Sequence, residues 1–180
     1  AITHNSQESY YYFHLAKIFL DRIRREKDPA RKNYFMALLD NVLSKADEHP
    51  WAPEGIYVLR MDTALSQRDL PQAFVFAKEA LRNQPYRLDV RQTLEKIHYF
   101  SGEWKFNQEK RKEFIENAEI ILALSPKSMD TATFLIDYYL AENNVGKINQ
   151  WMYTLMEYNY LDNNGSSASR QRFMDLVRKV

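Results

Sequence analysis

Residues 68–85 read RDLPQAFVFAKEALRNQP, and this stretch decides what kind of molecule the chain builds. Ala73, Ala77 and Ala80 fall four and three residues apart, on one stripe of a helix, and Pro85 stops it. In a chain with 14% aromatic residues, three small side chains on one face mean that something lies very close to that helix. That neighbour is either a ligand or another helix. The pattern on either side decides between them.

Long stretches repeat apolar residues every three or four positions, glycine is scarce and β-branched alternation is almost absent, the signature of amphipathic helices. In SYYYFHLAKIFLDRIRREKD, Tyr12, Leu15, Ala16, Phe19 and Ile23 share a face, with Leu20 at its edge. Asp28-Pro29, a capping residue before a first-turn proline, leads into NYFMALLDNVLSKAD. GIYVLRMDTALSQ then pairs with PQAFVFAKEALRN, RLDVRQTLEKIHYF with WKFNQEKRKEFIENAEIILAL, and TATFLIDYYLAEN with KINQWMYTLMEYNY. Short connectors (QRDL, SGE, NNVG) favour antiparallel neighbours. A last segment, ASRQRFMDLVRKV, places Phe173, Leu176, Val177 and Val180 on its apolar side. The expectation is an all-α chain of antiparallel hairpins, about nine helices in all.

Composition agrees with this class. At 180 residues the chain is most simply one domain, able to bury roughly two thirds of its unfolded surface. A hydrophobic fraction of 45% and a charged fraction of 27% are those of a globular chain. Net charge is +1, so no global field draws it to nucleic acid or an anionic membrane. The chain has no cysteine, which excludes disulfides and thiolate metal sites and suits cytoplasm and periplasm alike. No apolar run is long enough to span a bilayer. The opening AITHNSQ has neither an initiator methionine nor the regions of a signal peptide, giving the expectation of one domain from a longer protein.

The prolines mark a repeat. Pro50, Pro85 and Pro126 each close one hairpin and open the next, at spacings of 35 and 41 residues. Nine residues after each stands a leucine (Leu59, Leu94, Leu135). Four before each are Ala46, Leu81 and Leu122, eight before are Val42, Ala77 and Ala118, and twelve before are Leu38, Ala73 and Phe114. Over roughly residues 36–161, this helix, turn, helix and closing proline resembles the tetratricopeptide repeat. Its first motif reads Ile56-x2-Leu59, Arg91-x2-Leu94 and Ala132-x2-Leu135, the last followed by Tyr139 at the expected tyrosine place. Its second motif is clearest in Ala73, Ala77, Ala80 and Pro85, with Ile148, Met152 and Leu155 in the corresponding places of the final hairpin. The family's glycine is replaced by Arg60, Glu95 and Ile136, so the repeats are degenerate. The resemblance implies an α-solenoid over residues 1–180, with an N-terminal helix over 6–26 and a capping helix over 167–180. The longer second spacing implies a helix that starts near Trp104 and projects beyond its neighbours.

Nothing assembles an active site: there is no glycine-rich phosphate loop, no G-x-S-x-G and no H-E-x-x-H. Glu95-x-x-His98 is the nearest metal-like pattern, but carboxylate-bridged sites in bundles need two such motifs and further glutamates. His98 reads better as a packed side chain, and His4, His14 and His49 have no partner at ligand spacing. Asn164-Gly165-Ser166 matches a glycosylation sequon and reads equally as a turn. Two basic clusters, Arg22, Arg24, Arg25 and Lys27, and Lys105, Lys110, Arg111 and Lys112, are interleaved with acids and read as solvated helix faces. No cofactor, metal or nucleic acid is therefore expected.

The aromatics carry more. Tyr10, Tyr11, Tyr12 and Phe13 are consecutive and point in several directions; Trp151, Tyr153, Tyr158 and Tyr160 form a second group. Part of each must be packing, and the excess suits a protein-binding surface or a dimer contact. In the family the first helix of each hairpin lines the concave surface. The resemblance thus implies Glu54, Tyr57 and Met61, then Asp89, Gln92, Lys96 and Tyr99, then Asp130, Thr133 and Asp137 as a groove for a protein or peptide. With Lys96 alone among several acids, the groove suits a neutral or basic extended segment. The functional expectation is a non-catalytic protein- or peptide-binding scaffold. A more diffuse likeness is to the helical C-terminal domains of O-antigen ligase and polymerase-type bacterial membrane proteins. It implies instead a soluble accessory domain of a membrane glycan ligase or polymerase, without the catalytic motifs of those enzymes.

Overall fold

A computed structural model describes the backbone of residues 2–47, 55–161 and 167–180, and the side chains of 10–46, 55–158 and 171–180. Among these residues the chain is all-helical: α1 (Ile2–Arg25), α2 (Pro29–Asp47), α3 (Ile56–Ser66), α4 (Leu70–Asn83), α5 (Leu88–Ser101), α6 (Gln108–Leu124), α7 (Met129–Ala141), α8 (Val145–Leu161) and α9 (Ser167–Lys179). No described helix is long and apolar enough to cross a membrane. The chain divides into two compact units, Ala1–Ile97 and His98–Val180.

Four of the helices, α2, α4, α6 and α8, start on an Asp or Asn whose side chain accepts an otherwise orphaned backbone N–H. Asp28 caps α2 through the Ala30 N–H (3.0 Å), as the Asp-Pro pair predicts. Asp69 caps α4 through Gln72 (3.0 Å), Asn107 caps α6 through Lys110 (3.1 Å) and Asn144 caps α8 through Lys147 (3.1 Å). Two of these caps follow a residue in the left-handed region, Arg68 (φ 62°) and Asn143 (φ 53°), which reverses the chain within a short turn.

In the first unit α1 packs against α2, and α3 against α4. Ala16, Leu20 and Ile23 of α1 meet Leu39, Val42, Leu43 and Ala46 of α2. Leu20, expected at the edge, is at the centre and 3% exposed, because the buried stripe runs 16–20–23. The alanines of α4 are fully buried, at 0%, 0% and 2% exposure. Ala77 and Ala80 cluster with Met61 of α3 and with Val90 and Leu94 of α5, while Ala73 clusters with Ala64 and Ile97. The close neighbour of the alanine stripe is thus another helix on each side. Two small side chains opposite Met61 make the space that its long side chain fills.

The second unit has one core, built from Ile115, Ala118 and Leu122 of α6, the inner face of α7, and Ile148, Trp151, Met152 and Leu155 of α8, joined by Leu176 of α9. Burying Leu135, which is 0% exposed, contributes about 1.5–3 kcal/mol on its own. Of the described positions phased by the prolines, all are buried except Leu38 and Leu81, which are half-buried. Pro50 itself lies outside the described residues.

The helix expected from Trp104 does not form there. Glu103–Lys105 is a short 3₁₀ turn, and α6 begins only at Gln108. Gly102, at φ 68°, breaks the helix after Ser101, and Arg111 closes the turn by donating to the carbonyls of Trp104 (3.0 Å) and Lys105 (2.6 Å). The extra residues of the longer proline spacing are therefore spent largely on a turn. It folds Trp104 edge-on against Phe114 and Phe134 (centroids 5.3 and 5.5 Å).

The last helix also differs from expectation. Leu176 is 2% exposed and Phe173 is half-buried, but Val177 and Val180 are 40% and 57% exposed. Only one edge of the supposed apolar side meets the core.

Candidate functional site

The residues expected to line a groove fall into three groups by structure. Glu54 lies outside the described residues. Tyr57 is half-buried between the two clusters that flank α3. Met61, expected on an open surface, is 2% exposed and belongs to the core, so it lines nothing.

The α5 stripe is more open. Asp89 is exposed and held by Arg87 (Nε to Oδ1, 2.9 Å), which also lies beside Gln84. Burial raises the Asp89 carboxyl, but the Arg87 hydrogen bond and charge and the Val90 N–H outweigh it and hold the group below the ordinary carboxylate value. Gln92 is half-buried and Lys96 exposed. In the second unit, Tyr99 is 61% exposed, followed by Phe100 at 72% and Phe106 at 81%.

On α7, Asp130, Thr133 and Asp137 follow at helical spacing along one stripe. The Thr133 hydroxyl turns back to the Met129 carbonyl (2.8 Å), leaving the two carboxylates as the polar features of the stripe. Both are engaged by α9: Arg172 donates to Asp130 at 3.0 Å, and Lys179 to Asp137 at 2.8 Å. Each pair spans 42 residues, so α9 runs parallel to α7. Leu176 sits between these two ion pairs and enters the same core as Leu135. The acidic face of α7, expected to suit a neutral or basic extended segment, carries instead a basic helix, the chain's own α9.

This seating was written in the sequence but not read. Leu94 to Leu135 is 41 residues, and Leu135 to Leu176 is 41 again, so Leu176 continues the leucine series of the first helices. Arg172 and Lys179 are seven residues apart, as are Asp130 and Asp137. Matching an acidic spacing on one helix to a basic spacing on another is the signal that would have found it.

The groups capable of chemistry are held in packing. His98 is 2% exposed and its ring stacks on Phe114 (5.5 Å, 24°), the packed state expected of it. Glu119 of α6 accepts from the Tyr139 hydroxyl (2.9 Å) and from Lys147 Nζ (2.6 Å), tying α6, α7 and α8 together beside a shallow recess that Trp151 also lines. Burial first, then the Glu119 bond and charge, push the Tyr139 phenol well above its ordinary value. Among the described residues no group of three or more His, Asp or Glu side chains could hold a metal ion.

The basic clusters are laced with ion pairs. Arg25 meets Asp21 (2.9 Å), Arg24 meets Asp62 of α3 (2.9 Å), Lys110 meets Glu113 (3.7 Å) and Lys112 meets Glu116 (3.8 Å). Arg111 is spent on the turn carbonyls. Of the aromatic groups, Tyr10, Tyr11 and Tyr153 are more than half exposed, Tyr12, Phe13 and Tyr158 are half-buried, and Trp151 is buried. His4, His49, Tyr160 and the Asn164-Gly165-Ser166 sequon lie outside the residues whose side chains are described. The chain matches no protein-family model and no curated protein.

Proposed function

We propose that the chain is a tetratricopeptide-like helical repeat that binds another protein or peptide and performs no chemistry itself. The observation that carries this reading is the exposure of three aromatic side chains close in sequence, Tyr99, Phe100 and Phe106, at 61%, 72% and 81%. Exposed aromatics of this size contribute nothing to the fold and are the side chains that anchor protein interfaces, where their burial and polar edges supply most of the affinity. The pairing of the basic clusters with carboxylates favours a protein partner over a nucleic acid, since phosphate contacts need uncompensated cations. Alanine at Tyr99 and at Tyr57 tests the reading. Binding of a partner isolated with the wild-type chain should weaken at Tyr99, and less at half-buried Tyr57. Equal binding by all three chains would end it.

A further inference from the structure

We propose that α9 is a displaceable internal ligand: the α7 face bounded by Asp130 and Asp137 is a docking site for a basic amphipathic helix, and α9 occupies it in cis until such a helix competes. This deepens the protein-binding reading above, and rests on it, by naming the chemistry of one partner segment and a way of regulating its access.

The way α9 is held carries the inference. α8 anchors itself through Ile148, Trp151, Met152 and Leu155, all buried. Among the described side chains of α9 (171–180), Leu176 is the buried one, with Phe173 half in, while Met174, Val177 and Val180 stand 47%, 40% and 57% exposed. Among the described residues, the ion pairs that tie α9 to α7 are both solvent-exposed. The Asp130 side chain is 97% exposed, and the Lys179–Asp137 pair is about half exposed on both sides (45% and 49%). Such pairs add little affinity but select charge and orientation. A helix of 13 residues is marginal in water by itself, so α9 is helical because it is docked. An element held by so little burial among its described side chains opens locally before the unit unfolds.

The contact also spells the ligand. α9 presents Arg172, Phe173, Leu176 and Lys179, a basic residue at each end of an eight-residue span and apolar residues at the second and fifth places. This is the anchor spacing of a helix lying in a groove. A partner helix with the same pattern meets the same seat, in the same parallel sense. A tethered occupant raises the apparent dissociation constant for such a partner by the factor with which it fills the site.

The test uses the full chain and a labelled 14-residue peptide with the sequence of residues 167–180, followed by fluorescence anisotropy. In one variant α9 is loosened from its seat by Arg172→Glu, Leu176→Ala and Lys179→Glu together. It should bind the peptide at least about tenfold more tightly than wild type. A second variant, Arg172→Glu with Lys179→Glu, keeps the buried leucine and should gain less. Adding Asp130→Lys and Asp137→Lys to the first variant should abolish the gain. No gain in either loosened variant, or a gain that survives reversal of the two aspartates, overturns the proposal. So does loss of the cooperative helical melt in the loosened variants, because the unit would then need α9 seated in order to fold. None of these outcomes touches Tyr99 and Phe106, whose role in binding is read separately.

Discussion

Replacing Ala77 by leucine puts three carbon atoms into a place that has no room for them. Ala77 is 0% exposed, and its cluster is closed by Met61 (2%) from α3 and by Val90 (0%) and Leu94 (3%) from α5. Two different helices would have to move, and neither has an exposed side chain at the contact to rotate away. Overpacking of this kind costs about 2–3 kcal/mol. Leucine is nearly as good a helix former as alanine, so intrinsic propensity explains none of that loss. For a unit of this size each kcal/mol lowers the melting temperature by about 4–8 °C, so the loss should reach roughly 10–20 °C. The control is Val75→Leu on the same helix, where the side chain is 50% exposed and the change should stay within about 0.5 kcal/mol. Thermal melts followed by circular dichroism at the helical band compare the two. If Ala77→Leu melts with wild type, the alanines face open space, and their reading as a helix–helix contact is wrong.

Three further outcomes follow from the same geometry. Arg68 holds φ at 62°, a conformation glycine adopts without strain, so Arg68→Gly should raise stability by about 0.5–1 kcal/mol in urea melts; a loss would mean that the arginine side chain makes a compensating contact. Removing the α6 cap with Asn107→Ala should cost about 1 kcal/mol, and Asn107→Asp should restore it; an alanine variant as stable as wild type would discount the cap. Tyr139 has a raised phenol pKa, so its contribution is complete below the ordinary tyrosine value of 10.0 and fades as pH climbs towards its own. Tyr139→Phe should therefore cost about 1.5 kcal/mol at neutral pH, with the deficit shrinking above pH ~10, and the latest-ionising tyrosine should vanish from the ultraviolet titration. A deficit that persists unchanged at high pH would contradict the assignment.

The helices were legible because burial follows a period of 3.6 residues, and the caps because Asp and Asn satisfy orphaned N–H groups where the chain enters a helix. The alanine stripe was legible for what it excludes, since a small side chain demands a near neighbour. Its converse was missed. Met61 shares a helical face with Tyr57 and so looked like groove lining, but the space left by Ala77 and Ala80 draws its side chain inward. The seven-residue excess near Trp104 preserves helical phase on paper. Gly102 and the carbonyls taken up by Arg111 turn it into a 3₁₀ turn, an outcome set by contacts distant in sequence. On α9 the apolar pattern is wider than the face the core can cover, and periodicity alone does not say how much of a stripe finds a partner. The α7 aspartates were legible as candidate contacts, but their occupant required pairing charges across 42 residues.

The central claim is that the chain binds a protein through the exposed aromatic side chains Tyr99, Phe100 and Phe106. Site-specific photo-crosslinking tests it most directly, with a photoreactive phenylalanine analogue placed in turn at Tyr99, Phe106 and the exposed control Val75 of the first unit. The account predicts that Tyr99 and Phe106 attach to one segment of one partner protein, that the same adduct weakens on the Phe100→Ala background, and that Val75 gives none of it. The same scattered adducts at all three positions would contradict it.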